Sequence, residues 1–181
     1  MTGDERIFHF ICNHSPIRRI KYFRMNIWKS RKQNLKKDGN MKNGALAGLA
    51  ATAVLSVLMI MKSIMGIMPQ FNVIADWVAV LAKFGLPASM ALGWIAHIAL
   101  GAVFGVGFSQ VRSMLPASDI VAGIAFGVVA WLGMMIFFMP LAGNGVFGMN
   151  IGMMVPVMTL ILHVVFGAVL GFVFRKLNAT I

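Results

Sequence analysis

The chain has 181 residues, 59% of them hydrophobic and only 12% charged. Soluble domains carry about 25% charged residues, so composition sets that class aside and points to one compact membrane domain. Eleven of the 16 Lys+Arg fall in residues 1–43, with three of the five acids; beside an apolar run, such a segment marks the cytoplasmic side rather than a nucleic-acid contact.

Residues 1–43 show no one-sided apolar face. Ile17, Ile20, Tyr22, Phe23, Ile27 and Trp28 alternate with Arg18, Arg19, Lys21, Arg24 and Lys29. Disorder is expected, with a helix on the membrane surface as the alternative. A further expectation is that translation starts later, at Met41 or Met25. Met41-Lys42-Asn43 stands directly before an apolar run, and the codons for Lys37-Asp38 can read as a ribosome-binding site. The segment is therefore left out of fold reasoning. Cys12 is the only cysteine, so no intrachain disulfide can form.

Four apolar runs follow, each near the roughly 20 residues that cross a bilayer as a helix. They are expected at about 44–61, 87–111, 120–139 and 151–174. The first carries Gly44, Gly48, Thr52 and Ser56 at four-residue spacing, a small-residue face of the kind through which membrane helices meet. Residues 62–86 connect it to the second. Within them Phe71–Phe84 reads as a short interfacial helix, with Asn72, Asp76, Ala79 and Lys83 on one side and Ile74, Trp77, Val78 and Leu81 on the other. A lid over a binding site is the functional version of that helix.

The second run carries Ser89, Gly93, His97, Gly101, Gly105 and Ser109 in register. A short turn holds Arg112, Pro116 and Asp119. The third run has Gly123, Gly127 and Trp131, then the uncharged loop Pro140 to Gly148. The fourth has Thr159, His163, Gly167 and Gly171, with Pro156 in its first turns and Arg175-Lys176 at its end. Residues 95–108 and 161–174 are offset by 66 and agree at seven of fourteen positions. The first and third runs match only through Gly44/Gly48 and Gly123/Gly127. The expected fold is all-α: four transmembrane helices as two parallel helical-hairpin repeats, spanning residues 44–177. Both termini are expected in the cytoplasm, because the basic N-terminal segment, Arg112, Arg175 and Lys176 share one side and only Lys62 and Lys83 the other.

Ionisable groups inside a membrane default to a functional reading. His97 and His163 are the candidates, with Thr52, Ser56 and Thr159 as hydroxyl neighbours. In the plainest reading each ring hydrogen-bonds a hydroxyl or a backbone carbonyl. A sharper one has both histidines ligating a b-type haem, with a flat cavity bounded by Gly101, Gly105, Gly167 and Gly171. A third is a proton or small-solute pathway, formed as an oligomer. The spans contain no Asp, Glu, Lys or Arg and no catalytic motif, so an enzyme is not expected. The sixteen methionines are scattered, which argues for packing rather than a copper route.

Met41-Lys-Asn-Gly-Ala-Leu-Ala-Gly48, Met139-Pro-Leu-Ala-Gly143 with Phe147-Gly148, and the two His-x-x-x-Gly-Ala-Val segments resemble uncharacterised four-span proteins of bacterial inner membranes, YagU-like in general plan. The resemblance covers Met41 to Lys176. It implies a bacterial inner-membrane location and transfers no activity, cofactor or site. The functional expectation is a non-enzymatic accessory or structural subunit or a self-associating bundle. Its partners would be the bilayer, with a second copy or a membrane complex. A haem-binding electron carrier and a small transporter or channel are the alternatives.

Overall fold

The computed structural model describes residues 16–115 and 117–179; between 16 and 39 it gives helical backbone, with Trp28 the one side chain described. The expectation for residues 1–15 lies outside the described residues. The chain divides into two units, residues 1–39 and 40–181, and the second contains the four apolar segments.

All regular elements among the described residues are helical. They are α1 (Pro16–Ile64), α2 (Val73–Lys83), α3 (Met90–Val111), α4 (Asp119–Gly133), α5 (Met139–Ala142) and α6 (Met154–Ala179). Four segments are long and apolar enough to cross a membrane: Asn40–Ile64, Met90–Met114, Asp119–Ala142 and Met154–Ala179. Their ends follow local chemistry rather than hydropathy. α3 begins at Met90, later than the apolar run suggests, because Ser89 caps it and accepts from Leu92 N at 3.2 Å. α6 starts at Met154 and continues to Ala179. Arg175 and Lys176 end the apolar stretch but not the helix, since both residues favour helix.

The third apolar segment is not a plain helix. Met134–Phe138 forms a π turn joining α4 to α5. Pro140 follows it, and its missing N–H removes one donor that a continuous α-helix would use. Gly143 then closes α5 in the left-handed conformation, φ 96°.

Two pairs of helices touch through glycine. A methyl group built on Gly48 would collide with the Gly101 carbonyl and the Gly105 backbone. One on Gly123 would collide in the same way with the Gly167 carbonyl and the Gly171 backbone. Gly105 lies on the Gly44 carbonyl, and Gly171 on that of Asp119. Gly101 faces Thr52, and Gly127 faces the His163 carbonyl. These contacts equate Gly48 with Gly123 and Thr52 with Gly127. The sequence match of Gly44/Gly48 with Gly123/Gly127 is thus one helical turn out of register.

Between the α1–α3 pair and the α4–α6 pair the contacts are different. Phenylalanine rings meet edge to face: Phe104 with Phe126 at 6.1 Å, Phe104 with Phe166 at 6.4 Å, and Phe108 with Phe174 at 5.3 Å. With Ala47, Ala51, Leu55, Ala122 and Leu170 they form the main core, towards the end of the bundle that holds the Arg112–Asp119 turn. Asn43 ties α1 to α6 there, donating to Asn178 Oδ1 at 3.1 Å. Arg112 pairs with Asp119 and donates to the Leu115 and Ala117 carbonyls at 2.9 and 2.7 Å. A smaller core of Phe71, Met135, Met139 and Val155 packs the opposite, loop end.

Glycine substitutions separate the close contacts from the rest. Gly48→Ala should cost about 1–3 kcal/mol by overpacking. Gly133→Ala, where an added methyl meets nothing within 4 Å, should gain about 0.5–1 kcal/mol from helix propensity. Thermal unfolding in detergent measures both; a Gly48→Ala protein as stable as the parent would refute the contact.

Candidate functional site

Because rings rather than glycines separate the two pairs, the bundle does not close along its whole length. A cavity of about 960 Å³ lies between them. Thr52, Leu55, His97, Gly101 and Phe104 form one wall, and Phe126, Ala130, Thr159, His163 and Phe166 the other. The Phe104, Phe126 and Phe166 rings close its floor towards the turn end. The walls run out to Ile64, Phe84 and Phe137, which are 80%, 70% and 75% exposed. The cavity therefore opens on the apolar outer surface.

Both sequence-predicted histidines line this space. Their hydrogen bonding differs. His163 Nδ1 bonds the Thr159 carbonyl one turn back at 2.8 Å. His97 packs edge-on to Trp94 at 6.0 Å, and its Nε2 is buried with no hydrogen-bond partner. A buried polar atom without a partner is costly in an apolar setting.

The hydroxyls expected to serve the histidines instead serve their own helices. Thr52 donates to the Gly48 carbonyl at 2.9 Å, Ser56 to Thr52 at 2.8 Å, and Thr159 to Val155 at 2.7 Å. This is the usual back-bonding of small hydroxyls in helices. Thr159 Oγ1 also accepts from Trp131 Nε1 at 3.1 Å, a link between α4 and α6 that the sequence did not suggest. The flat glycine-walled slot of the haem reading is not formed. Gly105, Gly167 and Gly171 are covered by the backbones of Gly44, Gly123 and Asp119, and of that set only Gly101 reaches the cavity. Among the described residues, no three His, Cys, Asp or Glu side chains come together as a metal site.

The predicted short helix is α2, and it lies across the loop end of the cavity, which Ile74, Trp77 and Val80 help to line. Asn72 caps it, accepting from Ile74 N and Ala75 N. On one side it rests against α3, where Gly93 meets the Ile74 carbonyl and the Val78 side chain. On the other it reaches the loop end of the third segment. Trp77 packs on Phe138 at 4.6 Å, Lys83 Nζ donates to the Leu141 carbonyl at 2.5 Å, and Asn144 Nδ2 donates to Asp76 Oδ1 at 2.9 Å. Asp76 Oδ2 is buried without a partner. Lys62 holds the preceding loop, donating to the Phe71 and Met68 carbonyls at 2.6 and 3.2 Å, with its ammonium 5.1 Å from the centre of the Phe71 ring. The amphipathic pattern showed α2 itself; its links to residues more than fifty positions away left no local trace.

Residues 39–180 match a family of unknown function, DUF6789, and the chain belongs to that family. No curated protein matches the chain. No solved structure matches it either.

The half-buried Asp76 makes α2 docking sensitive to pH. Burial raises its carboxyl above the ordinary range, opposed by the hydrogen bond from Asn144. A carboxyl whose folded pKa is raised contributes its full stability below the unfolded value and loses it as pH rises through the folded one. The α2 amides should therefore exchange faster as pH rises through that raised value, once intrinsic exchange is corrected for. In Asp76→Asn this extra pH dependence should vanish. Hydrogen exchange read by mass spectrometry decides it, and identical corrected profiles would contradict the assignment.

Proposed function

We propose that this DUF6789 protein is a non-enzymatic, multi-pass protein of the bacterial inner membrane that takes up an apolar molecule between its two helix pairs. The observation that carries this reading is the cavity itself. Its 960 Å³ lies at the upper end of the volumes of ligand pockets, about 300–1,000 Å³. It is bounded largely by aliphatic and aromatic side chains, and two imidazoles are among its few polar groups. Its opening falls on exposed apolar side chains, the surface a bilayer would cover, so a ligand can enter from the hydrocarbon without crossing water. The described lining contains no carboxylate or thiol that could serve as acid, base or nucleophile.

In this reading the chain consists of two parallel hairpin repeats, α1 with α3 and α4 with α6. The matching collisions at Gly48 and Gly123 support the duplication. Both termini and the Arg112–Asp119 turn face the cytoplasm, and α2 with the Gly143–Gly148 loop faces outward, as the distribution of Lys and Arg favours. A binding or carrier role fits the open cavity better than a purely structural subunit, whose interior would be filled. The haem-carrier reading has less support, because the glycines that would flank a porphyrin are covered.

Filling the cavity tests the reading. Ala130→Phe should lower the amount of apolar small molecule that co-purifies with the protein at least tenfold, read by native mass spectrometry, while the unfolding temperature holds. Unchanged co-purification, or none in the parent, would reject it. For topology, a reporter active only outside the cytoplasm should be silent when fused after Ala179 and active when inserted after Asn144. The reverse pattern would invert the orientation.

A further inference from the structure

Given an apolar occupant of the cavity, on which this step rests, we infer that the occupant is an uncharged lipophile headed by a hydroxyl group, and that this hydroxyl donates to His163 Nε2. The Thr159 carbonyl oxygen can only accept, so the bonded His163 Nδ1 carries the proton. The neutral ring then presents Nε2 as a lone pair, and that lone pair calls for a donor. His97 Nε2 is buried without a partner, and it accepts or donates according to its tautomer.

A hydroxyl meets the demand of His163: it donates to the Nε2 lone pair. The protein's own hydroxyls are not available for this, because Thr52, Ser56 and Thr159 already donate to helix carbonyls. An ether or ester offers no donor. A carboxylate or phosphate would bring a negative charge into a wall with a single Lys or Arg, Lys62. That ammonium lies out at the loop end, where it donates to the Phe71 and Met68 carbonyls. Beyond the histidines the walls are apolar, including Leu100, Phe104, Phe126, Leu162 and Phe166, and suit a hydrocarbon chain or ring system.

The test compares two probes that differ only in the donor: farnesol and farnesyl methyl ether. The full chain is placed in lipid nanodiscs, with protein-free nanodiscs as the partition control. Binding is followed by tryptophan fluorescence, since Trp94 packs against His97 at 6.0 Å. The parent should bind farnesol at least tenfold more tightly than the ether. His163→Phe should bind both with the parent's affinity for the ether. Equal binding of the two probes by the parent would overturn the hydroxyl assignment and leave the cavity reading standing. Failure of both probes to bind would overturn the cavity reading as well. A His163→Phe protein that kept the preference would overturn the role of His163. The parent's comparison is decisive even if that variant does not fold.

Discussion

The close approach of backbones at Gly48 and Gly105, and again at Gly123 and Gly171, sets the geometry of the whole bundle. At these points one helix rests on the carbonyls of another, and any side chain would push them apart. In an apolar medium there is no hydrophobic drive to bring helices together, so association depends on such contacts and on the dispersion they allow. The glycines thereby fix two tight pairs, and phenylalanine decides how the pairs meet. Rings between the pairs keep their axes apart, and the gap that the rings do not fill becomes the cavity. Close packing inside each pair and open space between pairs are two results of the same division of small and large residues.

The polar groups follow from that division. A helix in apolar surroundings satisfies its backbone internally, and Thr52, Ser56 and Thr159 fold back on it. Imidazole differs because it has two nitrogens on opposite edges, and a single carbonyl can serve only one of them. His163 shows this directly, with one nitrogen bound to its own helix and the other ring edge turned from it. The pair is thus left with hydrogen-bonding capacity that the spans do not absorb. Polar capacity left unserved in apolar surroundings is costly.

Much of the fold was legible in the sequence, and the losses have physical causes. The four apolar segments were visible from hydropathy, because length and composition alone determine them. Helix ends were less so, since Ser89 starts a helix by its hydroxyl and Arg175 fails to stop one despite its charge. The glycine faces were recognised, yet their pairing slipped by a turn: a four-residue spacing fits its neighbour equally well at either step, and only the opposing helix selects one. His97 and His163 were singled out and do share one space. That this space exists was not legible, because it depends on which rings stand between the pairs. The Asp76–Asn144 and Trp131–Thr159 bonds, 68 and 28 residues apart, were hidden because only the packed fold brings their partners together.

The π turn at Met134–Phe138 has a consequence for how the third apolar segment can vary. A π turn closes its hydrogen bond over one residue more than an α turn does, and each residue advances a helix by roughly 100°. The segment before it, with Gly123 and Gly127, is phased by the fit to α6; the segment after it, with Met139 and Asn144, is phased by the fit to the smaller core and α2. The extra residue lets the two fits be met independently within one continuous rod. This turn is therefore the place where the rod can lose a residue and remain helical throughout. Such a loss would turn the π turn into an α turn and leave both ends seated, because a π turn spreads about the same rotation over one residue more than an α turn does.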